Sequence, residues 1–570
     1  MENNRLTFNL TKIFFLLVSI FLLLGLIKLT ESGSSEITNR LNVFYHPALK
    51  KIDITNLEYI KSLEEKDIIS IRACPAEYEP FSIILSANDS ISNLSIKWNS
   101  FEGNNNLPGS IMDAFIIKGW FQAGISSKDI RDTSKIVFVQ ELLLKDDSLV
   151  KVDMSLRKNY LHINYENSQS EYIDVTSRKF EFPDSAKIFQ AKHLKPFSID
   201  SAAAKQLWFT IQVPENAAPG IYSNQIEIIK NDNTINSQQI ELEVLPFKLD
   251  SSILRYGLYY HGELKDYQRK YHFIDRDEER LEMELTDLKN HGVLYPTIGQ
   301  SKKYLNKHLQ IRNKVGLPND RLFSTDVFNI HKLFKSDSIQ NQIKNDIENY
   351  KSIIKMQGYN ELYVYGIDEA KGKLLIKQRD IWKEIRKNNA KIFVAVNSRA
   401  FNLVGDLLDA AVLHGELMPN QAKLYQSIGH EIYSYHNPQV GQENPEVYRR
   451  NYGLALWKAG YNGAMNYAYF KSYGNVWNDF DDPRKRYREE TFVYPTEDGL
   501  ISTIQWEGFR EAVDDVKYLT TLLNRIEKLE KLGIDAAEFK YFVDSIDPND
   551  DLDFLRNEII NNIIEIDKSF

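Results

Sequence analysis

From about Leu41 to Leu249 apolar positions recur in short alternating runs, the period of two that half-buried strands require. The clearest are Phe81–Leu85, Ser95–Trp98, Ile111–Ile117, Leu207–Val213, Gln225–Ile229 and Gln239–Leu245, separated by turn clusters such as Asn104-Asn-Asn-Leu-Pro-Gly109 and Asn231-Asp-Asn233. Regular short strands without helical periodicity predict a β-sandwich over residues 41–249. From Arg255 the pattern changes. Strand-like segments at Arg255–Tyr260, Leu294–Thr297, Arg321–Ser324, Leu362–Ile367, Lys391–Val396, Ala411–Leu413, Glu431–Tyr435 and Gly463–Tyr467 alternate with helical stretches at Arg276–Asn290, Tyr304–Val315, Ser338–Met356, Leu374–Lys387, Asn420–Ser427 and Pro445–Ala459. Eight strands alternating with helices predict a (β/α)8 TIM-like barrel over residues 250–498. After Tyr494-Pro495 the period is helical. Phe509, Val513, Val516 and Thr520 mark one face of a helix from near Trp506, and Ala536–Ile546 and Leu552–Ile566 follow. Residues 499–570 are expected to pack on the barrel as a helical segment, locked there by Arg510, Glu511, Asp514 and Asp515.

The first thirty residues follow neither pattern. Arg5 and Lys12 precede the uncharged run Ile13–Ile27, which Lys28 and a Ser/Gly-rich linker over 31–40 follow. A basic flank before an apolar run predicts a cleaved signal peptide or a single-pass membrane anchor. With no good small-x-small cleavage site, retention as an anchor is favoured, and either way the remaining chain is expected to be exported to the cell envelope or beyond. Its only cysteine, Cys74, excludes an internal disulfide and reads as a small buried hydrophobe. A formal net charge of −9 argues against nucleic acid as a partner. The 31 tyrosines suit either aromatic cores or the recognition of sugars.

Glu361–Ala370 is an apolar and aromatic run that ends in two adjacent carboxylates, Asp368 and Glu369. By strand count it terminates the fourth barrel strand, at the end where such barrels keep their active sites. Asp368 could equally cap the helix that follows. The other strand ends carry Asn397, His414, Tyr435, Asn437, Tyr467 and Tyr469, a neutral and partly aromatic set suited to a polyol. His261, His291, His414 and His436 lack metal-ligand spacing, and the acidic Glu141–Asp147 reads as a loop closing a strand, so neither a metal nor another cofactor is expected. No G-x-S-x-G, G-x-G-x-x-G or Walker pattern occurs.

Conventional glycosidases set two carboxylates on opposite sides of the scissile bond, which sequence neighbours cannot easily do. Neighbours can reach one side of a sugar, with one protonating the glycosidic oxygen while the other holds a participating 2-acetamido group. Tyr365-Gly-Ile-Asp-Glu-Ala370, the upstream Glu141-Leu-Leu-Leu-Lys-Asp-Asp-Ser148 and Leu245-Pro-Phe247, and the closing Tyr494-Pro-Thr…Ser502…Trp506-Glu-Gly-Phe-Arg-Glu-Ala-Val-Asp-Asp515 resemble family 123 glycoside hydrolases and their relatives. The resemblance runs from about Leu41 to beyond Leu519. It implies a retaining N-acetyl-β-galactosaminidase, with a carbohydrate substrate, Glu369 as acid/base and Asp368 orienting the acetamide. A non-catalytic glycan-binding envelope protein and a hydrolase of another amino sugar are the alternatives. Oligomeric state is not legible.

Overall fold

A computed structural model of the chain describes residues 41–569 except 125–134, 180–181, 184, 266–274, 336–337, 442 and 483–487. The expected signal peptide or anchor over 1–30 and the linker over 31–40 lie outside the described residues. Among the described residues no helix is long and apolar enough to cross a membrane.

The N-terminal region is rich in strands. One five-stranded sheet runs in the order Leu41–His46, Tyr78–Ala87, Ala203–Gln212, Met112–Ala123, Ile136–Leu144, and a second in the order Phe197–Ile199, Ile91–Lys97, Gly220–Lys230, Asn233–Val244, Ile68–Ala73. Alternate residues of both sheets, among them Ile83, Leu207, Phe209, Ile226, Ile240 and Leu242, meet in one apolar core. Glu141–Asp147 is not loop throughout. Glu141–Leu144 belongs to a strand, and the loop begins only at Lys145. Buried Glu141 accepts from Trp120 at 2.7 Å, Gln122 at 2.8 Å and Gln505 at 2.7 Å, and so ties this region to the closing helices.

Seven parallel strands form the second region. Their order is Arg255–Leu258, Gly463–Asn466, Glu431–Tyr435, Ala410–His414, Lys391–Val396, Glu361–Tyr365, Arg321–Ser324. Side chains alternate between two cores, as burial on both faces demands. Leu362, Val364, Ile392, Val394, Ala411 and Ile432 face the surrounding helices. Tyr363, Phe393, Val412, Tyr433 and Met465 face one another, with Tyr259, Tyr365, Tyr435 and Tyr467 at the strand ends. The expected strand Leu294–Thr297 is not one. Tyr295 and Thr297 donate to Tyr256 and Leu258 on one sheet edge at 3.0 and 2.9 Å, and Ile298 donates to Phe323 on the other at 2.9 Å. Pro296 has no amide to continue the ladder, so the segment bridges the edges without regular strand pairing.

Two expected helices are broken. Leu374–Lys387 divides into Gly372–Lys377 and Arg379–Lys387 at Gln378, whose buried side chain accepts from the Ile367 amide at 2.7 Å. Pro445–Ala459 divides into Pro445–Tyr452 and Leu454–Lys458 at Gly453. A Cβ there would lie 3.2 Å from Ala512, so the glycine permits close approach to the long helix. That helix spans Ile504–Lys531, and Ala537–Ser545 and Leu552–Asp567 follow. Its charged residues reach further than to one neighbour. Asp515 takes Arg449 at 2.7 Å and Arg556 at 2.6 Å, while Arg556 also takes Glu511 at 2.7 Å and Glu79 of the strand-rich region at 3.0 Å.

At the start of the long helix His291 stacks on Trp506 at 4.2 Å between Asp287 and Glu507, each 3.3 Å away. Burial alone would lower its pKa, but the two carboxylates outweigh burial and raise it to about 9. A folded-state pKa above the unfolded value gives stability that is complete below about pH 6.5 and lost as pH rises through about 9, up to about 3 kcal/mol. Urea midpoints at pH 6.5 and 9.5 should therefore fall further for the wild type than for His291→Gln; an equal fall would contradict this.

Candidate active site

The Glu361–Tyr365 strand delivers its two acids through a tight turn. A Cβ on Gly366 would lie 2.9 Å from Trp382 and 3.1 Å from Val394, so only glycine lets the chain pass between those side chains. Glu369 then adopts φ +46°, a left-handed conformation uncommon outside glycine, and its amide is held by the Ala395 carbonyl at 3.1 Å. Such strain, about 1 kcal/mol or more, persists where surrounding structure imposes it. The helix-cap reading of Asp368 does not hold. The helix begins at Gly372 with Lys371 as its N-cap and no side-chain capping bond, and Asp368 Oδ1 instead accepts from the Tyr365 hydroxyl at 2.6 Å.

Both residues are open to solvent, although the Asp368 carboxyl is itself partly desolvated against Tyr365, and each carboxylate has a phenol beside it. Tyr435, at the end of Glu431–Tyr435, donates to Glu369 Oε1 at 3.3 Å. Behind Tyr365 lies Tyr259, with the two hydroxyls 2.9 Å apart. Burial raises the Asp368 pKa, Tyr365 opposes that, and Glu369 adds to it. Burial also pushes the phenols of Tyr259, Tyr365, Tyr435 and Tyr467 up, so all four remain protonated donors.

Of the remaining candidates, His414 sits edge-on to Tyr435 at 5.4 Å and stacks on His436 at 4.4 Å. Tyr467 joins through Tyr259, with ring centroids 5.6 Å apart. Asn397 turns its side-chain oxygen to its own loop, accepting from Arg399 at 3.0 Å. Asn437 spends its oxygen on Asn451 at 3.2 Å. Tyr469 points away and donates to Asp287 at 2.8 Å beside Trp506. Tyr259 and Tyr365 were not singled out as site residues from sequence, although the strand-end rule that selects Tyr435 and Tyr467 applies equally to Tyr259. Among the described residues no three His, Cys, Asp or Glu side chains gather as a metal site.

One end of the parallel sheet thus presents adjacent carboxylates among phenols. The model of the glycoside hydrolase 123 catalytic domain matches residues 324–522. These residues form a family 123 glycoside hydrolase catalytic domain. The match contains both acids, Tyr435, Tyr467 and the first part of the long helix. Among solved structures, a family 123 glycoside hydrolase from Clostridium perfringens, studied for glycolipid glycan hydrolysis, is similar over 93% of this chain and 100% of its own, with 14% identity and a TM-score of 0.64. At that identity the likeness shows the fold. A family 39 glycoside hydrolase from Bacteroides cellulosilyticus WH2 covers 58% of this chain and 79% of its own, with 11% identity and a TM-score of 0.31. No curated protein matches the chain.

Proposed function

We propose that this glycosidase is a retaining exo-enzyme that removes terminal β-linked N-acetylgalactosamine with the help of the sugar's own 2-acetamido group. The observation that carries the reading is the pairing of Asp368 with Tyr365 and of Glu369 with Tyr435 at one end of the sheet. Glu369 protonates the glycosidic oxygen while the acetamido oxygen attacks C1 and the C1–O bond breaks, giving a cyclic oxazolinium ion. Glu369, now a carboxylate, takes a proton from water as that water attacks C1 and reopens the ring. Two inversions at C1 retain the β configuration. Asp368 accepts from the acetamide N–H and thereby aims the oxygen and stabilises the charge that develops on the ring. His414, Tyr467 and the aromatic strand ends form the floor on which the sugar lies, with Asn397 and Asn437 at its edges.

We infer the architecture in the same way. The seven parallel strands and Leu294–Ile298, which bonds to both edges, are the eight staves of a (β/α)8 barrel over 250–498, preceded by a β-sandwich over 41–249 and closed by the helices of 499–570. Export, by a signal peptide or anchor, rests on Ile13–Ile27.

Aryl 2-acetamido-2-deoxy-β-galactosides should be hydrolysed, their gluco epimers more slowly, and the 2-hydroxy galactosides hardly at all. Asp368→Asn should lower kcat about a hundredfold by misorienting the acetamide. An enzyme that cleaves the 2-hydroxy sugar as fast as the 2-acetamido sugar would sink the proposal. Saturable binding of such glycans without product release would favour a glycan-binding protein, and a preference for the gluco series a different amino sugar.

A further inference from the structure

Tyr259 follows the Arg255–Leu258 strand and is only 5% exposed, so it stands behind the carboxylates. Its ring packs on those of Tyr365, Tyr435 and Tyr467, with centroids 5.8, 6.2 and 5.6 Å away. Its hydroxyl lies 2.9 Å from that of Tyr365, which in turn donates to Asp368 Oδ1 at 2.6 Å. Counting protons gives the direction of this chain. A carboxylate only accepts, so the single Tyr365 proton goes to Asp368, and Tyr365 is left to accept from Tyr259. The other donor to that oxygen, the Ala395 amide, is more distant at 3.4 Å. Both phenols therefore direct their dipoles at one carboxylate.

We propose that Tyr259 is a positioning residue of the reaction: acting through Tyr365, it keeps the Asp368 carboxylate ionised and aimed at the acetamide. The proposal rests on the role given to Asp368 above. What makes such support necessary is the company Asp368 keeps. Burial and the adjacent Glu369 both favour its protonated form, and Tyr365 opposes them. The phenols facing it from the other strands, Tyr435 and Tyr467, are held neutral by burial, and the charge beyond them is a further acid, Glu490. Donor chains polarise one another, so the Tyr259 hydroxyl strengthens the bond that Tyr365 makes. The ring contacts of Tyr259 account for its packing, but they give its hydroxyl nothing to do.

Tyr259→Phe keeps the ring and removes the last donor of the chain. Two readouts follow. In carboxyl 13C spectra, with the Asp368 signal identified by its absence in Asp368→Asn, the apparent pKa of Asp368 should rise by about half a unit in Tyr259→Phe and by more in Tyr365→Phe. In kinetics on an aryl 2-acetamido galactoside, kcat should fall about fivefold with KM nearly constant, and the acidic limb of the pH profile should move to higher pH, because a larger share of Asp368 is protonated at any acidic pH. An unchanged Asp368 titration in Tyr259→Phe overturns the proposal, including the case in which Tyr365→Phe alone shifts it. The spectra read the relay even if no 2-acetamido glycoside is cleaved, which would instead overturn the proposed reaction.

Discussion

Glu369→Gln is expected to lower kcat on 2-acetamido galactosides with poor leaving groups by about a thousandfold or more, the contribution of a general acid that also acts as base. The amide fills the same turn, so the Ala395 carbonyl still holds the residue 369 amide and the fold should persist. What is lost is the transferable proton. The loss should shrink when the leaving group needs no protonation, as in a dinitrophenyl glycoside, because ring closure by the acetamide then proceeds without the acid. Measuring kcat for both substrates in wild type and variant separates this role from mere disturbance of the site. An equal loss on both would contradict the assignment of the acid to Glu369.

The second large effect concerns the junction of the three parts of the molecule. Arg556 is buried and answers Asp515, Glu511 and Glu79, which come from the long helix and the strand-rich region. Replacing it with Met keeps bulk but leaves three carboxylates with less opposing charge. Arg449 can still serve Asp515 at 2.7 Å, but it bonds neither Glu511 nor Glu79 in this arrangement. Breaking one member of a buried ionic network costs about 3–5 kcal/mol, because the remaining charges stay desolvated. Chemical denaturation of Arg556→Met should show a loss of that size, and a loss below about 1 kcal/mol would mean that solvent already reaches the cluster.

Much of this organisation follows from period alone, and the exceptions have local causes. The two-residue alternation of the first region and the strand–helix alternation of the second can be read because they express which faces are buried. Leu294–Thr297 reads as a strand by hydrophobicity, yet Pro296 denies the ladder a donor. Leu374–Lys387 is periodic throughout, and only the use of the Gln378 side chain on Ile367 divides it. At Pro445–Ala459 the break at Gly453 answers to the long helix against it, which no local pattern reports. At the site, the Asp368-Glu369 pair stands out in the sequence because two carboxylates end an apolar run. The left-handed turn at Glu369 and the Tyr259–Tyr365–Asp368 chain are not visible in the same way. The turn is imposed by the Ala395 carbonyl on the next strand, and the chain by residues 106 positions apart meeting at the ends of different strands. Asn397 and Asn437 show the converse, since strand position places them near the site while local hydrogen bonds occupy their oxygens.

The central claim is that the substrate supplies the nucleophile while Asp368 holds it. The most direct test is the rate of hydrolysis of aryl β-galactosaminides whose 2-acetamido group carries zero, one, two or three fluorines on its methyl carbon. Fluorine withdraws electrons from the amide oxygen without much change in size. If that oxygen attacks C1, kcat/KM should fall steeply with each fluorine added; a rate indifferent to fluorination would contradict the account.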